Sequence, residues 1–248
     1  MTSKLETNSL LNAFPNLPIM MSGCAMSIWL SHEQVKNYIP YLPEGILINS
    51  NDEVRIRIWD LRMDFKSEIN SNGYSNHSNF KEGVLAIPAI SGDSEGEYPL
   101  HMYSDSFIYT SMAREIIGWN VRDGEIHNDK MIGLKAGQNL KSKLLTNWNF
   151  AFDMEIKNIT LVNEKNELAK GTWFANKVVP SPFEASSYSD EIIIGGSSEI
   201  YVNKIWTGEG SFTITDKILD SQISNETSTI SKVEIWEGLS MSIGYAKK

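Results

Sequence analysis

Cysteine is almost missing from this chain: Cys24 is the only one in 248 residues. No intrachain disulfide can form, and a reducing compartment is the expectation. Long apolar runs are missing too. No stretch reaches the roughly 18 to 20 apolar residues that carry a helix across a bilayer, and the opening MTSKLETNSLLNAF holds no apolar core of a secretory leader. Basic charge is scarce, with 22 Lys and Arg against 31 Asp and Glu for a net −9. A chain with no basic surplus has no counterions to displace from nucleic acid, and an anionic membrane surface repels it. The expectation is a soluble cytoplasmic protein with neither nucleic acid nor membrane as partner, whose sequons at Asn76, Asn158 and Asn225 are chance matches. His32, His77, His101 and His127 show no ligand spacing, so no metal is expected. Gly195-Gly196-Ser197-Ser198 lacks the Lys and the following helix of a phosphate loop, so no cofactor is expected either.

What is present is ordinary globular material, 41% hydrophobic and 21% charged, enough for a full core. No Pro/Ser linker and no fixed-period repeat divides the chain, so residues 1–248 are read as one domain. Strand patterns dominate. Leu17 to Leu30 is an apolar run with small residues. Val54 to Phe65 alternates, with Val54, Ile56 and Ile58 on one side and Arg55, Arg57 and Trp59 on the other. Phe80 to Ile90, Trp148 to Ile159, Gly171 to Val179, Glu191 to Ile194, Ser198 to Trp206, Gly210 to Ile218 and Ser231 to Trp236 read alike. Glu125 to Lys143 reads as a polar connection, and Asn70 to Asn79 as a loop. Two short helices interrupt the strands. Ser31 with Gln34 has capping-box spacing ahead of one that ends at Pro40. Asp105 or Ser106 caps the other, in which Ile108, Met112 and Ile116 share a face and Gly118 marks the exit. Many short strands with few helices predict a mainly β (α+β) fold, mostly antiparallel, curled into a cone or barrel-like shape.

Several short motifs then occur in one order. Phe80-Lys81-Glu82 precedes Ala86-Ile87-Pro88. Met102-Tyr103-Ser104-Asp105, Ala113-Arg114-Glu115 and Gly118-Trp119 follow, and Trp206-Thr207-Gly208 comes late. Together they resemble the acetoacetate decarboxylase family, whose pattern in the middle stretch is roughly M-Y-x-D, G-R-E, aromatic-Pro-Lys-Lys. In that family the first lysine forms a Schiff base with a keto acid, and the second lowers its pKa by like charge, the standard instance of such activation. The resemblance places Asn120 at the Pro, Val121 at the nucleophile and Arg122 at the second lysine. It also places the family's catalytic carboxylate at Glu82, and it implies a homo-oligomer. Valine carries no nitrogen, so the resemblance fails at the atom that does the family's chemistry.

Glu82 is therefore the candidate general acid and base, raised toward neutrality if desolvated; the plainer reading is a surface acid beside Lys81. Arg122 is a candidate for holding a carboxylate or enolate, or equally a solvent-facing turn residue. Asn120 is a candidate oxyanion donor, or a turn cap. Trp119, Val121, Met21, Met102, Trp59 and Trp206 are candidate walls of an apolar pocket, or simply core. Arg57 is a second cation if the Trp59 face lines that pocket. Arg114 and Glu115 are read as scaffold, a buried ion pair to the sheet. The expected activity is acid–base chemistry on a small molecule without an imine: dehydration, isomerisation or cyclisation of a carbonyl- or polyene-bearing metabolite, as in secondary metabolism. The alternatives are a non-catalytic binder of an apolar ligand, or a decarboxylase or lyase with its lysine relocated to Lys81, Lys130 or Lys204.

Overall fold

The computed structural model describes residues 19–31, 42–49, 53–64, 77–146, 150–168, 171–180, 187–216, 221–224 and 229–245. The helix expected from Ser31 to Pro40, apart from Ser31 itself, and most of the loop expected over 70–79 lie outside them.

Within these residues the chain forms β1 (Ile19–Leu30), β2 (Leu47–Ile48), β3 (Val54–Asp64), β4 (His77–Ser91) and β5 (Ser94–Ser104), then helix α1 (Phe107–Met112) running into a π-helical turn (Ala113–Ile117). There follow β6 (Val121–Asp123), β7 (Glu125–Asn128), β8 (Leu140–Leu145), β9 (Phe150–Leu168), β10 (Gly171–Pro180), β11 (Ser187–Asp216), β12 (Ser221–Ser224) and β13 (Ile230–Tyr245). All the strands join one sheet, ten of them in the order β10-β5-β4-β3-β1-β13-β11-β9-β8-β7, with β2 on β4, β6 on β5 and β12 on β11. The fold is the mainly β one expected, with two refinements. Two pairings are parallel, β5 with β6 and β5 with β10. The sheet also curls without closing fully: β10 runs antiparallel along β11 but meets β5 through the single pair Trp173–Glu97. Among the described residues no helix is long and apolar enough to cross a membrane.

Alternation sorts the side chains onto two faces. On β3, Val54, Ile56 and Ile58 face a closed core with Cys24, Met26 and Ile28 of β1 and Phe150, Phe152 and Met154 of β9. Trp59, Leu61 and Met63 face the opposite, concave side, with Met21, Val84, Met102 and Met241. Helix α1 and its π turn cap that side with Tyr109, Met112, Ala113 and Ile117.

The expected breaks in the sheet are where sequence and structure part. Residues 125–143 contain β7 and the start of β8, because Leu140, Ser142 and Leu144 point inward while Lys141 and Lys143 point out. The segments read at Glu191–Ile194 and Ser198–Trp206, and the described part of Gly210–Ile218 (210–216), belong to the single strand β11. In the helix, Ser106 is the cap, its Oγ accepting from Tyr109 N at 3.3 Å. Ile108 is exposed, however, and the buried stripe starts at Tyr109. A π turn follows from Ala113 to Ile117. Gly118 ends it at φ 85°, a conformation that costs glycine least.

Candidate functional site

The concave face encloses a cavity of about 690 Å³. Its floor follows from strand register. Trp59 on β3 pairs with Glu82 on β4, and Arg57 pairs with Val84, so the four stand on one face as neighbours and diagonals. Met102, Tyr109, Trp119, Trp173, Trp236 and Met21 complete the inner part. Glu53, Glu95, Glu97, Glu234, Arg55 and Lys232 ring the mouth, where Arg55 pairs with Glu97 and Lys232 Nζ lies 2.7 Å from Glu234.

Glu82 keeps only 4% of its surface exposed. Burial pushes its carboxyl from the ordinary 4.5 up to about 7, with a hydrogen bond from Tyr109 pulling the other way. Tyr109 rises well above its usual range, through burial first and then the neighbouring Glu82. The pair is aligned by its surroundings. Tyr109 stacks on Phe80, with centroids 4.0 Å apart. The helix entry is tied to the residue before Glu82: Lys81 N donates to Asp105 Oδ1 at 2.7 Å, and Ser104 Oγ donates to Lys81 O at 2.8 Å. Glu82 Oε2 has no partner.

Arg57 is 9% exposed. Its Nε donates to Ser27 Oγ at 3.0 Å, and its guanidinium lies 4.5 Å from the Trp59 ring centroid and 5.3 Å from that of Trp236. Such cation–π contacts contribute about 0.5–2 kcal/mol, and they hold a permanent cation in an aromatic setting. Nη2 is left without a partner, as are Nε1 of Trp119 and Nε1 of Trp173. Each orphaned buried polar group costs about 1–3 kcal/mol, so four in one cavity wall mark a surface built for something that hydrogen-bonds. Arg57 and Glu82 do not pair with each other. A direct ion pair would have drawn Glu82 down rather than leaving it raised.

The structure therefore brings together Glu82, Arg57, Trp59, Met21, Met102 and Trp119 from the sequence candidates. The other four do not line the cavity. Val121 is fully buried in the apolar layer beneath α1, paired with Met102. Asn120 and Arg122 are exposed, because adjacent residues of an extended segment point to opposite faces and Val121 takes the inward one. Trp206 belongs to the closed core, its Nε1 donating to Glu237 Oε2 at 2.9 Å. Arg114 is exposed rather than buried in an ion pair. His101 stacks on Phe150 at 4.3 Å, away from the cavity. Lys81, Lys130 and Lys204 are not among the lining residues; Lys232 is, at the mouth. Among the described residues no group of three or more His, Cys, Asp or Glu is placed to hold a metal.

Tyr109, Trp173 and Trp236 escaped the sequence reading. Tyr109 is three residues after the cap Ser106, one position beyond the Ile108–Met112–Ile116 stripe that the apolar spacing points to. Trp173 reaches the cavity only because β10 folds across to β5, which no local pattern announces.

Comparison with known proteins agrees with this architecture. A search of curated proteins by sequence returns no match. Among solved structures, an acetoacetate decarboxylase-like enzyme from Sphingomonas wittichii RW1 superposes with a TM-score of 0.70 at 15% identity, over 94% of this chain and 93% of that one. Acetoacetate decarboxylase from Legionella pneumophila gives 0.65 at 14% identity, over 94% and 87%. The enduracididine biosynthesis enzyme MppR, solved with pyruvate, gives 0.66 at 13% identity, over 93% and 88%. At these identities the likeness is one of fold. The family model for acetoacetate decarboxylase matches residues 20–224, and by that match the chain belongs to the acetoacetate decarboxylase family.

Proposed function

We propose that the cavity is the active site of a small-molecule enzyme in which Glu82 moves a proton on an apolar organic anion, without an imine. One observation carries this: a carboxyl 4% exposed, with one oxygen unpartnered, on the floor of a cavity of about 690 Å³ and titrating at about 7. At neutral pH both its forms are populated, the condition under which a general acid or base contributes most. Tyr109 donates to the ionised form and steadies it. Arg57 holds the substrate's anionic group with its free Nη2, a diagonal step from Glu82 across the β3–β4 ladder. Five tryptophans along the walls, Trp29, Trp59, Trp119, Trp173 and Trp236, suit a flat apolar body.

The reaction class is dehydration, isomerisation or cyclisation, each of which needs a proton taken at one atom and returned at another. The side chain at position 121 is an isopropyl group, and the one lysine among the described lining residues is half-exposed and paired with Glu234 at the mouth. Both support chemistry without a Schiff base. That MppR holds pyruvate in the same fold supports a small organic acid as ligand. The homo-oligomer implied by the resemblance belongs to this proposal, and light scattering on the purified protein reads it.

Glu82→Gln tests the assignment. Turnover falls by about 10²-fold or more if Glu82 moves the proton, while ligand binding persists. Intact turnover removes the role. A wild type that binds its ligand without ever turning it over favours the binding-protein alternative. Borohydride reduction in the presence of a keto acid should leave no covalent adduct; an adduct on any lysine overturns the imine-free chemistry.

A further inference from the structure

Two tryptophans of this chain give their indole N–H to carboxylates: Trp206 to Glu237 at 2.9 Å and Trp236 to Glu234 at 2.8 Å. Trp119 and Trp173 do not. They are 7% and 8% exposed, and both line the cavity. Their rings meet edge to face, with centroids 4.5 Å apart and planes at 62°, and neither Nε1 has an acceptor. An indole N–H can only donate, so two adjoining rings of the wall each carry a buried donor without an acceptor. A glycine keeps one of them in place. A Cβ at Gly195 would sit 1.9 Å from Trp173 Cζ2, so the Trp173 ring lies directly against the β11 backbone.

We infer that Trp119 and Trp173 form a paired donor site for a carbonyl oxygen of the ligand, which makes that ligand a carbonyl compound rather than a polyene. This rests on the cavity being the substrate pocket and narrows its chemistry. When the Glu82 carboxylate takes a proton from the carbon beside the carbonyl, the C–H pair becomes the C=C of an enolate. The C=O pair moves onto the oxygen, where the two indole donors meet the new charge. Donors fixed in a dry wall stabilise that charge with no rearrangement at the moment of reaction. Return of the same proton from Glu82, to the same or a neighbouring atom, closes the step with Glu82 ionised again.

The test is calorimetric titration of the full-length protein with two matched pairs of acids. 3-Benzoylpropionate and 4-phenylbutanoate differ only in the ketone oxygen, as do phenylpyruvate and 3-phenylpropanoate. At least one carbonyl acid should bind about tenfold more tightly than its partner, the size of one well-made hydrogen bond to an otherwise orphaned donor. In spectra of protein labelled with ¹⁵N at the indoles, that acid should move the Trp119 and Trp173 signals, identified from Trp119→Phe and Trp173→Phe, and its carbonyl-free partner should not. Each of those variants should lose the preference while still binding the carbonyl-free acid. Equal affinity within both pairs overturns the inference on the wild type alone, whether or not the variants fold. A preference that survives both variants overturns it too. Arg57→Gln separates the two levels. If it weakens all four acids while no carbonyl preference exists, only the paired-donor site falls. If none of the four binds, or Arg57→Gln changes nothing, the substrate-pocket reading falls as well.

Discussion

Two glutamates are buried on opposite sides of one sheet, and their surroundings differ in one respect. Glu237 has both oxygens in use: Oε1 accepts from Gly133 N at 2.6 Å and Oε2 from Trp206 Nε1 at 2.9 Å. It ties the 131–134 segment and β11 to the closed core, and nothing about it invites a ligand. Glu82 has one oxygen bonded to Tyr109 and one bonded to nothing, and it opens on a cavity in whose wall Arg57 Nη2 and the indole N–H groups of Trp119 and Trp173 are orphaned as well. Burial alone does not distinguish structure from function here. Unspent hydrogen-bonding capacity does, because a fold under no other demand fills such positions with partners or with apolar groups.

Substitutions can break or sharpen that contrast. The largest effect is expected at Glu82→Gln, with turnover down about 10²- to 10⁴-fold in steady-state kinetics and thermal stability unharmed. Its stability signature is also directional. Glu82 titrates higher folded than unfolded, so between pH 4.5 and about 7 the folded state binds more protons. Stability therefore falls as pH rises through that window, by on the order of 3 kcal/mol at most. Chemical denaturation across pH 4–8 should show that slope in the wild type and lose it in Glu82→Gln.

Next comes Arg57→Gln, which should weaken binding of a small aromatic carboxylate about 10- to 100-fold by calorimetry, the size of a charged hydrogen bond lost. Tyr109→Phe keeps the stack on Phe80 but removes the donor that holds Glu82 down, so the pH–rate midpoint should move upward from about 7. Glu237→Gln should cost about 1–3 kcal/mol in denaturant melts, because one former acceptor becomes a donor facing a donor, with ligand affinity unchanged. If instead Glu237→Gln abolishes activity and Glu82→Gln only melts the protein, the contrast is inverted.

Much of the sheet was legible in sequence because alternation is local. The pattern of Val54 to Phe65 put Arg57 and Trp59 on one face, and the structure keeps them there. Glu82 was legible only through the family's motif order, since nothing in Phe80-Lys81-Glu82 distinguishes a cavity acid from a surface one. The segment after Gly118 was misplaced for a physical reason. The resemblance assigns Asn120, Val121 and Arg122 to one site, and adjacent residues of an extended backbone face opposite ways, here with Val121 inward and the other two exposed. The helix stripe differs because apolar spacing alone does not choose between Ile108 and Tyr109: both lie in α1, ahead of the π turn, and it is Tyr109 that is buried while Ile108 is exposed. β8 was hidden by its lysines, which alternate outward from Leu140 and Leu144. Trp173 was beyond local reading altogether, being brought in by a strand pairing with a residue 76 positions away in sequence, Glu97.

One carboxyl group, Glu82, is poised near neutrality in the wall of the cavity. Labelling the glutamate side-chain carboxyls with ¹³C and titrating the wild type against Glu82→Gln isolates that signal directly. The account predicts one resonance, absent from the variant, with a midpoint at about 7. A Glu82 signal that has finished titrating near 4.5, as an ordinary solvated glutamate does, would contradict it.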